Sequence, residues 1–170
     1  IVAVGKGSAT PSRLLVLEYP GKSKEKPVIL VGKSITFDTG GYSIKTGEGM
    51  VGMKYDKSGG MTVIATLVAA SRLGLKTPLV GIVAAAENMI SGGSYRPNDI
   101  VTAMNGKTIE VISSDAEGRL VLSDALVYAQ KTYQPRAIID IATLTGGVVM
   151  ALGSIRAGFM ANNDSLAESL

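Results

Sequence analysis

An apolar strand pattern runs directly into a glycine-rich turn in the stretch Val28-Ile-Leu-Val-Gly-Lys-Ser-Ile-Thr-Phe-Asp-Thr-Gly-Gly41. Its Gly32-Lys-Ser34 tripeptide matches the end of a phosphate-binding P-loop, which also requires a glycine five residues before Gly32 and a helix directly after the loop. Pro27 occupies the glycine position, and the β-branched and aromatic residues that follow favour a strand. A P-loop nucleotide-binding domain is therefore disfavoured, and Lys33 needs another role.

Strand and helix patterns alternate on both sides of this stretch. Strand patterns cover residues 13–19, 28–31, 78–86 and 137–144, the last expected to be buried on both faces. Helical patterns cover residues 59–73, 119–133 and 146–153. Asn105-Gly106 predicts the turn of a hairpin between residues 100–104 and 108–112. The order predicts an α/β fold, layered α/β/α with a central mixed β-sheet.

The composition narrows the class of protein. At 170 residues and 46% hydrophobic content, the chain is long enough for one sizeable core and is expected to form one domain. It contains no apolar run of about 20 residues and no secretory leader pattern, so we expect no contact with a membrane. Because histidine and cysteine are both absent, a Ser-His-Asp triad and a zinc site with histidine or thiolate ligands are excluded.

Nucleic-acid binding is disfavoured by the same composition. The net charge is only +3, the basic residues are scattered, and two Phe with no Trp offer no surface for stacking bases. Any catalysis must therefore use carboxylates, lysines, arginines or hydroxyl groups.

Charged side chains stand in the glycine-rich loops that follow the predicted strands, where α/β domains place their functional sites. These residues are Asp38, Lys45, Asp56, Asp115, Glu117 and Arg119. Residues two apart in an extended segment share a face, so we expect residues 115, 117 and 119 to point to one place.

Each of these residues also has a purely structural interpretation. Ser114 and Glu117 have the spacing of a capping box for the helix that follows. Asp56 can cap the helix that begins near Gly59, and lysines are most often surface residues. Taken singly, these residues indicate little.

A group of four inward carboxylates has a definite physical requirement. Without cations the carboxylates repel one another, whereas two divalent metal ions balance their charge. Oxygen ligands without His or Cys suit Mg²⁺, Mn²⁺ or Zn²⁺. Lys33 would join such a site as a neutral amine, because burial and a nearby cation both lower the pKa of a lysine.

Several strings of residues carry a family resemblance. The most specific are the spacing of Lys33, Asp38 and Lys45 and the string Asp115-Ala-Glu-Gly-Arg-Leu120. Others are Met53-Lys-Tyr-Asp56, Glu87-Asn-Met-Ile-Ser-Gly92, Tyr95-Arg-Pro97 and Ala142-Thr-Leu-Thr-Gly146. In order and spacing, from about Val4 to Asn163, they resemble the leucyl aminopeptidase, or cytosol aminopeptidase, family of dinuclear metallopeptidases.

The resemblance implies a pair of divalent metal ions, Zn²⁺ or Mn²⁺, with Mg²⁺ or Co²⁺ as alternatives. Asp38, Asp115 and Glu117 would bind one ion. Lys33, Asp38, Asp56 and Glu117 would bind the other, so that Asp38 and Glu117 bridge the pair.

It also implies hydrolysis of the first peptide bond of peptides and amino-acid amides, with a preference for Leu-like first residues and a hydroxide between the two metals. Lys45 would stabilise the oxyanion. Arg119 would hold a bicarbonate that acts as the general base. The substrate pocket would be lined by Met53, Thr143, Leu144 and Gly146.

At the level of the whole protein, the resemblance implies a cytoplasmic homo-hexamer that acts on peptide substrates. Family members carry an N-terminal domain before this region and more of the catalytic domain after it, so residues 1–170 are expected to form part of a metallo-aminopeptidase catalytic domain. The alternative is a fragment without catalytic competence, or a paralogue with a scaffolding role.

Overall fold

The chain forms six α-helices, six β-strands and one short 3-10 helix, and the structure, a computed structural model, describes residues 1–170. The strands are β1 (Arg13–Tyr19), β2 (Val28–Asp38), β3 (Leu79–Asn88), β4 (Ile100–Thr102), β5 (Thr108–Glu110) and β6 (Ala137–Ile141). The helices are α1 (Val2–Gly5), α2 (Gly47–Met50), α3 (Ser58–Leu73), α4 (Glu117–Tyr133), α5 (Gly147–Leu152) and α6 (Asp164–Ser169), and the 3-10 helix is Met53–Tyr55. No helix has both the length and the apolar character needed to cross a membrane.

The central sheet has the strand order β1-β3-β2-β6. Strand β2 runs parallel to β3 and β6, whereas β1 runs antiparallel to β3, so the sheet is mixed as expected. Strand β2 is longer than the predicted residues 28–31, because the β-branched and aromatic residues after Lys33 continue it to Asp38. Lys33 therefore lies within a strand and Asp38 lies at its carboxyl end.

The sheet separates two apolar layers, which confirms the α/β/α arrangement. Ile29 and Val31 of β2 pack with Ala125 and Ala129 of α4 in the larger cluster. Leu30, on the opposite face of the same strand, packs with the buried residues of α3 in the smaller cluster. This alternation follows the period of two in a strand, and it places α3 and α4 on opposite faces of β2.

Helix α3 approaches the sheet closely at its amino end through glycines. A Cβ at Gly59 would collide with the carbonyl oxygen of Ile141, and a Cβ at Gly32 would lie 2.5 Å from the Cα of Gly60. Any larger residue at Gly32 or Gly59 would force the helix away from the sheet. The close approach brings the residues just before α3, including Asp56, against the middle of β2.

Two sequence-based expectations about elements need correction. The predicted strand over residues 137–144 ends at Ile141. Four of its five residues are half-buried and Asp140 is exposed, so the strand is not buried on both faces, because β6 lies at the edge of the sheet. Helix α4 begins at Glu117 instead of residue 119. The hairpin around Gly106 is confirmed as a separate two-stranded sheet of β4 and β5.

Candidate metal centre

Lys33 is the centre of a buried group of polar side chains. Its Nζ lies 2.7 Å from Oε1 of Glu117 and 2.9 Å from Oδ1 of Asp56, and it donates a hydrogen bond of 2.8 Å to the carbonyl oxygen of Thr143. The side chains of Lys33 and Glu117 are 3% and 2% exposed. Three segments that are distant in sequence therefore meet at one lysine.

A second group lies beside the first and faces solvent. The Nζ of Lys45 is 3.2 Å from Oδ2 of Asp38 and 2.6 Å from Oδ1 of Asp115. Asp38, Asp115 and Glu117 each offer a carboxylate oxygen within 4.8 Å of the others, which connects the two groups. Because the Asp115 side chain is 38% exposed, this side of the cluster is open to small molecules.

The turn after β2 brings Lys45 back over the strand end. Gly40 and Gly41 have φ of 85° and 61°, a left-handed conformation that glycine adopts without steric cost. The returning chain is fixed by a 2.9 Å hydrogen bond from the Lys45 amide to the carbonyl oxygen of Thr39. Asp38 and Lys45 are thereby held on the same side of the sheet.

The charges of the two groups do not balance without further cations. The four carboxyl groups of Asp38, Asp56, Asp115 and Glu117 face only the two ammonium groups of Lys33 and Lys45, so two negative charges would be uncompensated if all four were ionised. Oδ2 of Asp56 and Oε2 of Glu117 are buried and have no hydrogen-bond partner. Unpaired buried carboxylate oxygens are costly, so this donor set fits divalent cations.

Burial and neighbouring charges perturb the acids of the cluster. Burial raises the pKa of Glu117 to about 7; the Lys33 ammonium opposes the shift and the Asp38 carboxylate adds to it. Burial also raises the pKa of Asp56, against the effect of its hydrogen bond with Lys33. Both carboxylates are therefore held in an environment that disfavours their ionised form when no further cation is present.

The protonation state of Lys33 in this structure differs from the neutral amine expected beside metal ions. Burial lowers the pKa of Lys33, but the carboxylates of Glu117 and Asp56 outweigh burial and raise it. Without metal, Lys33 is thus an ammonium ion that partly neutralises the acids. A metal ion bound by Lys33 must displace a proton.

Two local expectations around α4 need correction. Asp115 and Glu117 point to one place as expected, since their carboxylate oxygens lie within 4.8 Å of each other, but Arg119 does not join them. Residues 117 and 119 lie in the first turn of the helix, where residues two apart point about 200° away from each other. Arg119 is accordingly exposed and makes none of the ion pairs of the cluster. The capping box is also absent: Ala116 is the N-cap, and the Ser114 hydroxyl bonds to the Gly40 carbonyl and the Ser43 amide instead.

The expected pocket residues lie in two segments next to the cluster. Met53 is half-buried in the 3-10 helix that leads to Asp56. Thr143 donates a 2.8 Å hydrogen bond from its hydroxyl to Oδ1 of Asp56. Leu144 is 43% exposed, and a Cβ at Gly118 would lie 3.0 Å from its Cδ1. Gly146 is exposed and is the N-cap residue of α5.

Sequence reasoning assigned no site role to Asn88, Tyr95 and Ser114, which are all buried around the cluster. Asn88 Nδ2 donates a 2.8 Å hydrogen bond to Oδ1 of Asp38, and Tyr95 donates one of 2.7 Å to the Ser114 carbonyl oxygen. One signal was available: Asn88 is a polar residue at the carboxyl end of a largely apolar strand, the end of the sheet where Asp38 was also expected.

The comparisons with known proteins agree on one family. Residues 1–170 match the sequence model of the cytosol aminopeptidase family, catalytic domain. A probable cytosol aminopeptidase of Pseudomonas fluorescens (strain Pf0-1) is 57% identical over 169 residues, which cover 99% of this chain and 34% of that protein. One of Cenarchaeum symbiosum (strain A) is 52% identical over 171 residues, or 100% of this chain and 35% of that protein.

Comparison of the fold with solved structures indicates the same family. The structure of leucine aminopeptidase from Caenorhabditis elegans matches with a TM-score of 0.94 and 35% identity, and covers 98% of this chain and 34% of that one. The chain therefore spans about a third of the length of the relatives that it matches.

Proposed function

Because the chain belongs to the cytosol aminopeptidase family, we propose that it carries the metal centre of an enzyme that removes the N-terminal residue from peptides and amino-acid amides. The observation that supports this proposal best is the convergence of Lys33 and four carboxylates from separate segments into one partly open cluster. Its unpaired buried oxygens are those that cations would satisfy.

We assign two divalent ions to this cluster. Asp38, Asp115 and Glu117 would hold one ion, and Lys33, Asp38, Asp56 and Glu117 would hold the other. When bound, the ions would polarise the scissile carbonyl group and activate a water molecule near neutral pH. The oxygen-rich ligand set suits Mg²⁺, Mn²⁺ or Zn²⁺. We propose Zn²⁺ or Mn²⁺, with Mg²⁺ or Co²⁺ as alternatives, because the family resemblance implies these ions.

Thr143 supports the assignment of Lys33 as a ligand. A neutral lysine amine keeps two N–H groups, and the carbonyl oxygen of Thr143, now 2.8 Å from Nζ, can accept one of them. With one N–H used in this way, the nitrogen lone pair would remain available for an ion that the carboxylates of Asp56 and Glu117 also hold. The same contact holds the segment that follows β6 against the cluster.

Lys45 is proposed to act on the substrate. Its Nζ lies between Asp38 and Asp115, and its side chain is 18% exposed. The two carboxylates raise the pKa of Lys45 against the opposing effect of burial, which keeps it an ammonium ion. A charged donor fixed in this way would stabilise the oxyanion that forms when the scissile carbonyl is attacked.

Arg119 is proposed to hold bicarbonate. Its side chain is exposed in the first turn of α4, two residues after the buried Glu117 and on a different side of the helix, and it is free to bind an anion. Bicarbonate held there would supply the general base that a chain without histidine lacks.

The first side chain of the substrate is proposed to be Leu-like. Leu144 and the half-buried Met53 place apolar atoms on two segments that also contribute polar atoms to the cluster. Thr143 and Gly146 would contact the substrate backbone. For the whole protein we propose a cytoplasmic homo-hexamer with peptide substrates, the state that the family resemblance implies.

Metal content and turnover measured on the same samples test the function. We expect two metal ions per chain, and hydrolysis of leucine p-nitroanilide with Mn²⁺ or Zn²⁺ and bicarbonate present. Glu117→Gln keeps the size of the side chain and removes its charge, and it should lower both metal content and turnover. Full metal content in Glu117→Gln would contradict the ligand assignment, and metal without turnover would favour a centre without catalytic competence.

A further inference from the structure

Asn88 occupies an unusual position at the edge of the metal centre. It is fully buried at the carboxyl end of β3, directly opposite Asp38 in the strand register. Its side-chain nitrogen has two hydrogens and donates both, at 2.8 Å to Oδ1 of Asp38 and at 3.0 Å to the carbonyl oxygen of Ser114. One amide group thus joins two segments that each end in a carboxylate of the cluster.

The Asp38 side is fixed further by backbone contacts. Oδ1 of Asp38 also accepts a 2.9 Å hydrogen bond from the Gly40 amide. The backbone carbonyl oxygen of Asn88 accepts hydrogen bonds from the amide and the hydroxyl of Thr39, at 3.0 and 2.8 Å. With Oδ1 used in this way, the other oxygen of Asp38 is the one turned toward Lys45.

The Asp115 side is fixed through Ser114. The carbonyl oxygen of Ser114 accepts a second hydrogen bond from the Tyr95 hydroxyl at 2.7 Å. The Ser114 hydroxyl donates a hydrogen bond to the Gly40 carbonyl oxygen and accepts one from the Ser43 amide, both at 2.7 Å. The residue before Asp115 is therefore tied to the turn after Asp38.

We propose that Asn88 is a positioning residue that, together with Tyr95 and Ser114, sets the separation and orientation of Asp38 and Asp115 and so the affinity of the centre for metal. The inference rests on the proposed metal centre for its effect on affinity. The positioning itself is a property of the metal-free chain.

The chemistry of position 88 supports this role. Two hydrogens on one nitrogen can satisfy two acceptors at once, which neither a hydroxyl group nor a carboxylate at this position can do. An asparagine at this position also has an energetic cost, because its Oδ1 is buried without a hydrogen-bond partner. A residue that served packing alone would avoid this cost.

Asn88→Leu tests the proposal, because leucine keeps the branched shape and removes both donors. We expect the affinity for Mn²⁺, measured by the electron paramagnetic resonance signal of the free ion, to fall about 10- to 100-fold. In the metal-free protein, the amides of Gly40 and Ser43 should exchange about tenfold faster with solvent deuterium. Tyr95→Phe removes one of the two hydrogen bonds to the Ser114 carbonyl oxygen and leaves the one from Asn88. The effects of Tyr95→Phe should therefore have the same direction and be smaller.

The control is Leu67→Ala, which creates a cavity in the α3 cluster on the opposite face of the sheet. It should lower the melting temperature while leaving Mn²⁺ affinity and the exchange of Gly40 and Ser43 unchanged. Unchanged affinity and exchange in both Asn88→Leu and Tyr95→Phe would overturn the inference, as would equal losses in Leu67→Ala. If the unchanged protein binds no Mn²⁺, the proposed function fails, and the exchange rates still decide whether Asn88 positions the turn.

Discussion

Lys33 and Lys45 resemble each other in charge but differ in the surroundings that determine their chemistry. Lys33 is enclosed by two carboxylates and a carbonyl oxygen, whereas Lys45 is partly exposed between two carboxylates. A partly exposed ammonium ion can meet a substrate oxygen without first leaving the interior. We therefore expect the two lysines to respond differently to removal of their charge.

Lys45→Met replaces the ammonium group with an apolar side chain of similar length. The carboxylates of Asp38 and Asp115 remain for the metal, so we expect Mn²⁺ content to be retained while kcat/KM for leucine p-nitroanilide falls by roughly 10²- to 10³-fold. Lys33→Met, the matched variant, should lose metal. The assignment of Lys45 would be wrong if Lys45→Met lost metal to the same extent.

Gly118, the residue of α4 that follows Glu117, also lies against the Lys33 side chain. A Cβ at this position would lie 2.7 Å from Cε of Lys33 and 2.9 Å from Nζ. Gly118→Ala should keep the helix, which alanine favours, and displace the lysine from its partners. We expect a loss of Mn²⁺ affinity without a loss of helical circular dichroism. Gly92→Ala, where a Cβ meets no atom within 4 Å, should change neither measurement.

At the scale of elements, the contact between α3 and β2 depends on a pair of facing residues. A Cβ at Gly60 would lie 2.7 Å from Cβ of Ser34 and 2.8 Å from Cγ1 of Val83. Ser34 therefore fills the space that a side chain on the helix would need. The identities of residues 34 and 60 should be coupled.

Gly60→Ala should lower the free energy of unfolding by about 1 to 3 kcal/mol through overpacking. The higher helix propensity of alanine offsets part of this loss. In the Ser34→Gly background the cost should be smaller, although contact with Val83 remains. Urea unfolding of both single variants and the double variant measures the coupling, which we expect to reach about 0.5 kcal/mol or more. Additive effects would contradict direct packing between the two residues.

Sequence reasoning identified the elements that have strong local signals. The helix over residues 59–73 is recovered as Ser58–Leu73 because its apolar period is regular and Gly74 ends it with φ of 64°. The strand ending at residue 144 was predicted too long, since β6 stops where contacts with β2 stop rather than where apolar residues stop. Local patterns do not contain this information, because it depends on the neighbouring strand.

In the site too, features with a local sequence signal were predicted and contacts between distant segments were not. The charged residues of the cluster were identified from their place in loops and from the family resemblance. The hydrogen bonds of Asn88 and Ser114 could not be predicted, because they join segments that are 26 and 71 residues apart. The capping interpretation of Ser114 failed for this reason: a distant turn competes successfully for its hydroxyl group.

At the scale of the whole molecule, burial is unevenly distributed along the chain. Strands β2 and β3 contain 16 of the 38 buried residues, eight in each strand, whereas residues 149–165 are all exposed. Segments with few buried contacts open at low free-energy cost. Local stability should therefore fall steeply after α5.

Amide hydrogen exchange of the metal-free chain measures this gradient. We expect the amides of β2 and β3 to be the most protected and those of residues 153–163 to exchange within the earliest time points. Residues 58–73 of α3 provide an internal reference of helical amides with intermediate burial. Protection of residues 153–163 equal to that of α3 would show that this segment is held by interactions that its exposure does not indicate.

The origin of the proposed ligands in separate segments has a consequence for folding kinetics. Lys33 and its partner Thr143 are 110 residues apart, and β6 must pair with β2 before they meet. No stretch of 15 residues contains more than two of the five proposed ligands, so an unfolded chain offers a metal ion only weak, partial sites. Closing such long loops is slow and precedes assembly of the centre. A metal ion would then bind only after the transition state for folding, so it would slow unfolding without speeding folding.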